Sequence, residues 1–357
     1  MLSRVAIRHG VAGLVVEGLR AAGASVPERL AQTARRRGLA AVRQAGEALR
    51  LQQRLGDAGI PALFLKGAPL ARRAYGTLGL RSAFDIDLVV APAAIEPAWR
   101  VLDEMGYART IPRRPLSGAA LRMFRWAAKD SLHRQLERNL VVELHWRLSD
   151  DLADPEPPPE ECWQQVEVAP GQALATLGDE DLFVYLSVHG AAHLWARLKW
   201  LADIGALVAA SGDGGACLWE AACRAGAGRP AASGLVLAHQ LLGTPLPPGF
   251  VAPPSLRLRL LNRLALGVLT AGGGVRDLAD TPYRGWAEFA AKLLVAPRPR
   301  NALAVLRRML ISAGDVGEVA LPPPLFLLYP VLRIPLLIRR RLRRAQVSAS
   351  RSRSAAS

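Results

Sequence analysis

Two aspartates inside the apolar run Arg81-Ser82-Ala83-Phe84-Asp85-Ile86-Asp87-Leu88-Val89-Val90 constrain this chain more than any other feature. A strand alternates faces and rises about 3.3 Å per residue, so Asp85 and Asp87 point the same way, about 6.6 Å apart at Cα. Phe84, Ile86 and Leu88 then point to the opposite face, where burial fixes the register and commits both acids to one exposed cleft. Carboxylates so placed can converge on a metal ion, although the wet face of an edge strand has the same pattern. Upstream, Gly59 and Pro61 stop a helix and deliver the chain into a strand at Leu63-Phe64-Leu65, which Lys66-Gly67 ends. A glycine there can bring backbone amides close to a phosphate while the lysine adds positive charge; an ordinary turn uses the same pair. Arg81, at the mouth of the acidic strand, either pairs with Asp85 or grips a triphosphate.

A third acid follows on a second strand. Residues 131–136 and 140–146 predict a hairpin turning at Arg138-Asn139. Leu140, Val142, Leu144 and Trp146 form its apolar face, which places Glu143 and His145 together on the other. If this strand lies beside the Asp85 strand, Glu143 completes a three-carboxylate cluster of the hard oxygen type that suits Mg²⁺. His145 reads as a polar neighbour satisfying a loop carbonyl rather than as a base. Between these strands, Ile95, Trp99, Leu102 and Met105 outline a helix closing at Gly106-Tyr107. Ahead of everything, residues 1–57 form a helical preface, with Leu39, Val42, Ala45, Leu49 and Leu55 as its buried stripe.

In this order, Leu-Lys-Gly, Arg-x-x-x-Asp-Ile-Asp-Leu-Val-Val, Gly-Tyr and Glu-Leu-His-Trp-Arg resemble the uncharacterised bacterial nucleotidyltransferase family of the DNA polymerase beta-like superfamily, over roughly residues 30–210. The resemblance implies an α+β fold: a small mixed-sheet polymerase-beta-like nucleotidyltransferase core with helical N-terminal and C-terminal regions. It implies that Asp85 and Asp87 are the metal pair and that Glu143 is the third carboxylate. The activity implied is transfer of a nucleoside monophosphate from an NTP to an acceptor, small molecule or protein hydroxyl, with Mg²⁺ as cofactor. Lys66, Gly67 and Arg81 then contact the nucleotide. The wider superfamily opens its site with Gly-Ser or Gly-Gly and a shorter interval to the acids. Here Lys66-Gly67 stands at that place, which leaves room for an alternative, a non-catalytic nucleotide-binding regulatory protein.

The net charge of +16 and pI near 11.0 invite a nucleic-acid partner. The basic runs at Arg35–Arg37 and Arg339–Arg344 lack the aromatic interleaving of a single-strand platform, however, and nucleic-acid binding is not expected. Cys162, Cys217 and Cys223 form neither a C-x-x-C pair nor a disulfide framework, which suits a reducing, cytoplasmic location.

The core is expected over residues 58–150, followed by an acidic, proline-rich linker at 151–175, a helical domain at 176–245, a helical and proline-rich region at 246–344 and a disordered tail at 345–357. In the helical domain His189 and His193 stand at i and i+4, but without the glutamate of H-E-x-x-H they are not a zinc pair. Arg197, Lys199 and Asp203 either reach the nucleotide or form a charged helix face. Residues 325–344 are strongly apolar, interrupted by prolines and closed by arginines. They predict a packing arm or a weak peripheral contact with an anionic membrane.

Overall fold

The computed structural model describes every residue except 114, 117, 150–155, 282, 320 and 340–357. Three helices open the chain: α1 (Leu2–His9), α2 (Ala12–Ala21) and the 30-residue α3 (Glu28–Asp57). Then come β1 (Leu63–Phe64), α4 (Ala68–Tyr75), β2 (Ile86–Val89), α5 (Ile95–Glu104), β3 (Ala108–Ile111), α6 (Gly118–Ala127), β4 (Asp130–Gln135), β5 (Leu140–His145), β6 (Gln164–Ala169) and β7 (Gln172–Thr176). These strands form one mixed sheet in the order β3-β4-β5-β2-β1-β7-β6. The hairpin β4–β5 lies where its alternating pattern places it, and β5 pairs with β2 in parallel.

The linker expectation for residues 151–175 gives way to a finding at 164–176. Here β6 and β7 pair antiparallel, and β7 joins β1 in parallel, extending the sheet. The flanking prolines masked this hairpin because its outer strand is mostly exposed and carries little apolar signal.

Each sheet face has its own core. Phe64, Ile86, Leu88, Val142 and Leu144 pack with α3, α5 and α6 through Leu51, Leu55, Trp99, Leu102 and Phe124. The buried side of α3 runs along Ala41, Ala45, Ala48, Leu51 and Leu55, whereas Leu39 and Val42 are exposed. Of the expected stripe, Ala45 and Leu55 are buried and Leu49 is half-buried, while Leu39 and Val42 fall outside it, because three alanines rather than the larger residues beside them set the close approach of helix to sheet.

Leu63, Leu65 and Val89 face the other way, onto a helical layer. It comprises α7 (Asp179–Ala192), α8 (Leu198–Ala210), α9 (Ala216–Arg224), α10 (Gly228–Leu242), α11 (Leu256–Gly274) and α12 (Arg284–Val295). Trp195 packs so closely on α7 and α10 that a Cβ on Gly190 or Gly234 would stand 2.2 or 2.8 Å from its ring. Beyond lie α13 (Pro299–Leu310), α14 (Ala313–Glu318) and a helical stretch at 329–339.

This last stretch docks through buried Tyr329 and Leu336, with ion pairs Arg333–Asp315 at 2.8 Å and Arg339–Glu318 at 2.7 Å. Its other side, with Val331, Ile334 and Ile338, is exposed. No helix among the described residues is long and apolar enough to cross a membrane. Arg340–Arg344 and the tail at 345–357 lie outside the described residues.

Candidate active site

Register builds the site. The parallel pairing of β2 with β5 sets Asp87 opposite Glu143 and Val89 opposite His145. Asp87, Glu143 and His145 therefore share the sheet face that carries Leu63, Leu65 and Val89, and α7 lies across it. One ligand atom from each of the three lies within 4.8 Å of the others. His145 Nε2 is 3.4 Å from Asp87 Oδ1 and 3.6 Å from Glu143 Oε2. Asp85 is half-buried and stands just before β2, outside this trio.

Around the acids is a ring of groups buried in the cleft. Lys66 Nζ stands 3.0 Å from Asp87 Oδ1 and over the Tyr185 ring, 5.8 Å from its centroid. Lys129 Nζ lies 3.2 Å from His145 Nδ1 and 3.0 Å from Asp130. An ammonium can only donate, so Nδ1 accepts and the neutral ring carries its hydrogen on Nε2, facing the two carboxylates. His145 thus orients the acids rather than meeting a loop carbonyl, as its sequence position suggested.

The electrostatics follow from this packing. Burial alone would raise the Asp87 carboxyl, but Lys66 and the adjacent His145 ring outweigh it and hold Asp87 well below the usual carboxylate range. Asp85 moves the other way: burial, and then the Asp87 charge, push it up. Burial would lower Lys66, yet Asp87, Tyr185 and the other acids raise it. Two neighbouring carboxyls are thus pushed apart.

These residues fit a divalent cation. Asp87 Oδ1 is enclosed and has no aligned hydrogen-bond partner among the described residues, although it ion-pairs with Lys66. A carboxylate oxygen in that state, beside Glu143 and close to Asp85, is a hard-cation ligand without enough donors. Gly67 leads into α4 with φ 71° and ψ −126°, a conformation only glycine adopts readily, and nothing stands within 4 Å of where a Cβ would be.

Residues 1–243 match the sequence profile of the uncharacterised nucleotidyltransferase family. The chain belongs to this family. No curated protein matches it. In this family member, then, the parallel register brings Asp87 and Glu143 together, with Asp85 adjacent. Arg81 does not pair with Asp85. It is buried and its Nε donates to Asp203 Oδ1 and Oδ2 at 3.0 and 3.1 Å, so its partner is Asp203 and not Asp85. Asp203 also accepts from Tyr75 at 2.9 Å.

Phe84 was expected in the core, and its ring is 56% exposed. It precedes β2 proper, where strict alternation has not begun. The His189 and His193 rings stack 4.8 Å apart, and His193 lies 3.7 Å from Glu288.

Sequence reasoning missed Lys129, Asp130 and Tyr185. The signal for Tyr185 was present: with His189 and His193 it repeats at i, i+4 and i+8, one polar-aromatic line along α7. Lys129 and Asp130 carried no signal ahead of the fold.

Proposed function

We propose that the protein transfers a nucleoside monophosphate from an NTP to an acceptor, in the manner of the polymerase beta-like enzymes. The observation that carries this is the register Asp87 opposite Glu143 on the face closed by α7, with Asp85 two residues before Asp87. Asp85, Asp87 and Glu143 would hold divalent metal, Mg²⁺ by the hardness of its oxygen donors, and bound metal would neutralise charge developing on the transferring phosphoryl group. His145 holds the Asp87 and Glu143 carboxylates in register. Glu143, one-third exposed at its side chain, is placed to take the acceptor's proton. The open approach at Gly67 leaves the amides at the start of α4 available to phosphate.

A second reading is favoured by one feature. Lys66 already neutralises Asp87, as a resident ammonium would in a regulatory protein that binds nucleotide without turnover.

A screen of the four NTPs with Mg²⁺ and pyrophosphate detection separates the two. Transfer is expected, with Asp87→Asn lowering the rate by about 10³-fold. Equal rates in wild type and Asp87→Asn would remove the transfer mechanism, and saturable NTP binding without pyrophosphate release would favour the regulatory reading. The three cysteines, free and exposed, support placement in a reducing compartment.

A further inference from the structure

Beside the acids, on the far side of Phe84, lies a cavity of about 220 Å³ that the transfer chemistry above does not use. Its flat walls are Phe84, Trp200 and His193. Trp200 meets the His193 ring at 5.9 Å and the His189 ring edge-on at 5.5 Å, so the aromatic wall continues along α7 toward Asp87.

The charges are sorted by position. At the outer wall Arg197 pairs with Asp277, and Arg284 pairs with Glu288 at 2.9 Å. At the inner end, Lys199 Nζ stands 5.5 Å from the Phe84 ring centroid and donates to the Ser82 carbonyl at 3.4 Å, with no carboxylate partner among the described residues; the Arg37 guanidinium, outside the cavity lining, stands 5.5 Å from the same ring. Arg37 Nη1 is enclosed without any hydrogen-bond partner there. Free positive charge thus collects next to Asp85, and a neutral aromatic wall lies farther out. A ligand that satisfies both has an anionic end directed at the acids and a planar end directed away.

We propose that this cavity between Phe84 and Trp200 is the nucleoside triphosphate site, with the base stacked on the Trp200 and His193 wall and the phosphates held by Lys199. This rests on the transfer reading for its chemistry but names different residues. It also replaces Arg81, whose guanidinium is committed to Asp203, as a phosphate ligand. Asp277, Leu278, Arg284 and Glu288 lie beyond residue 243, outside the span matched to the family. The outer wall therefore belongs to the C-terminal region of this chain, whereas Trp200 and His193 lie within the matched span.

The test measures binding of ATP, GTP, CTP and UTP in Mg²⁺, with tripolyphosphate as a probe lacking the base and adenosine as one lacking phosphate. Trp200→Ala and Phe84→Ala should weaken the preferred NTP about tenfold and leave tripolyphosphate unchanged. Lys199→Gln should weaken both NTP and tripolyphosphate about tenfold. Phe84 is exposed, so its variant keeps the test valid if Trp200→Ala fails to fold. Tight NTP binding untouched by Phe84→Ala and by Lys199→Gln would overturn the assignment while leaving the transfer reading in place. NTP binding that depends on these residues but gives no Asp87-dependent transfer would uphold the site and sink the transfer reading. If wild type binds no NTP, both fall.

Discussion

Two buried ion pairs, one on each side of α4, show how the same interaction serves different ends. Arg81 and Asp203 are almost wholly enclosed, at 4% and 1% side-chain exposure, and Asp203 is further satisfied by the Tyr75 hydroxyl. Lys66 and Asp87 are nearly as deep, at 12% and 2%, yet Asp87 Oδ1 and His145 Nε2 remain without hydrogen-bond partners among the described residues. A saturated pair fixes two elements together. An unsaturated one, beside half-buried acids at a cleft, is a place where an ion or a substrate from solution can take over a partner's role. The first ties α4 and the approach to β2 onto α8; the second is the centre of the chemistry.

The largest consequence is expected from breaking the saturated pair. Asp203→Ala strands the Arg81 guanidinium in the core and should cost about 3–5 kcal/mol, read as a lowered urea midpoint. A wild-type midpoint in that variant would show that the pair is incidental.

Lys66→Met sharpens the contrast. It removes an ammonium that competes for Asp87, so divalent cation affinity by calorimetry should rise about tenfold. Its loss of stability should appear in chelator and be offset by about 1.4 kcal/mol with metal at ten times Kd. A destabilisation that metal cannot rescue would make Lys66 a structural partner like Arg81.

The smallest effect concerns histidines that lack acidic partners. Burial, and then Arg109, push His133 down to about 3; burial, and then Arg8, push His9 down to about 4. Their folded values lie below the ordinary 6.5, so on acidification the unfolded chain takes up protons first. The stability they contribute is present above about pH 6.5 and is lost as pH falls toward these values. Burial, and then Lys129, would lower His145, but the Asp87 and Glu143 carboxylates beside it raise it, so it has the opposite sign. His133→Asn should flatten the decline in urea midpoint between pH 7 and pH 4.5; an unchanged slope would count against this account.

What the sequence made legible follows the same division. Asp87 and Glu143 could be read in advance because period-two alternation dictates which face a strand residue occupies, and one parallel pairing then brings two faces together. The mixed sheet with flanking helices was legible for that reason as well. The partner of Arg81 was not, since Asp203 is 122 residues away and only the docking of α8 brings it near. Phe84 misled because an apolar residue next to a strand looks like core, whereas here it separates two charged walls. Alanine did the same on α3, where small size rather than hydrophobicity marks the contact face.

Arg8 ties the beginning of the chain to distant parts of it. Its guanidinium donates to the carbonyls of Ala196 at 2.5 Å and Arg276 at 2.8 Å, the latter 268 residues away in sequence. The backbone N–H of Leu198 donates to His9, and Arg197 donates to the Arg8 carbonyl. During synthesis, therefore, α1 can pack early on α2 and α3, but Arg8 and His9 lack these partners until residues 196–276 have followed. Contacts of such separation form late in folding. The wall of the Phe84 cavity, which includes Arg197 and Asp277, is completed by the same closure, so a nascent or truncated chain would acquire its sheet and its carboxylates before it acquires that wall.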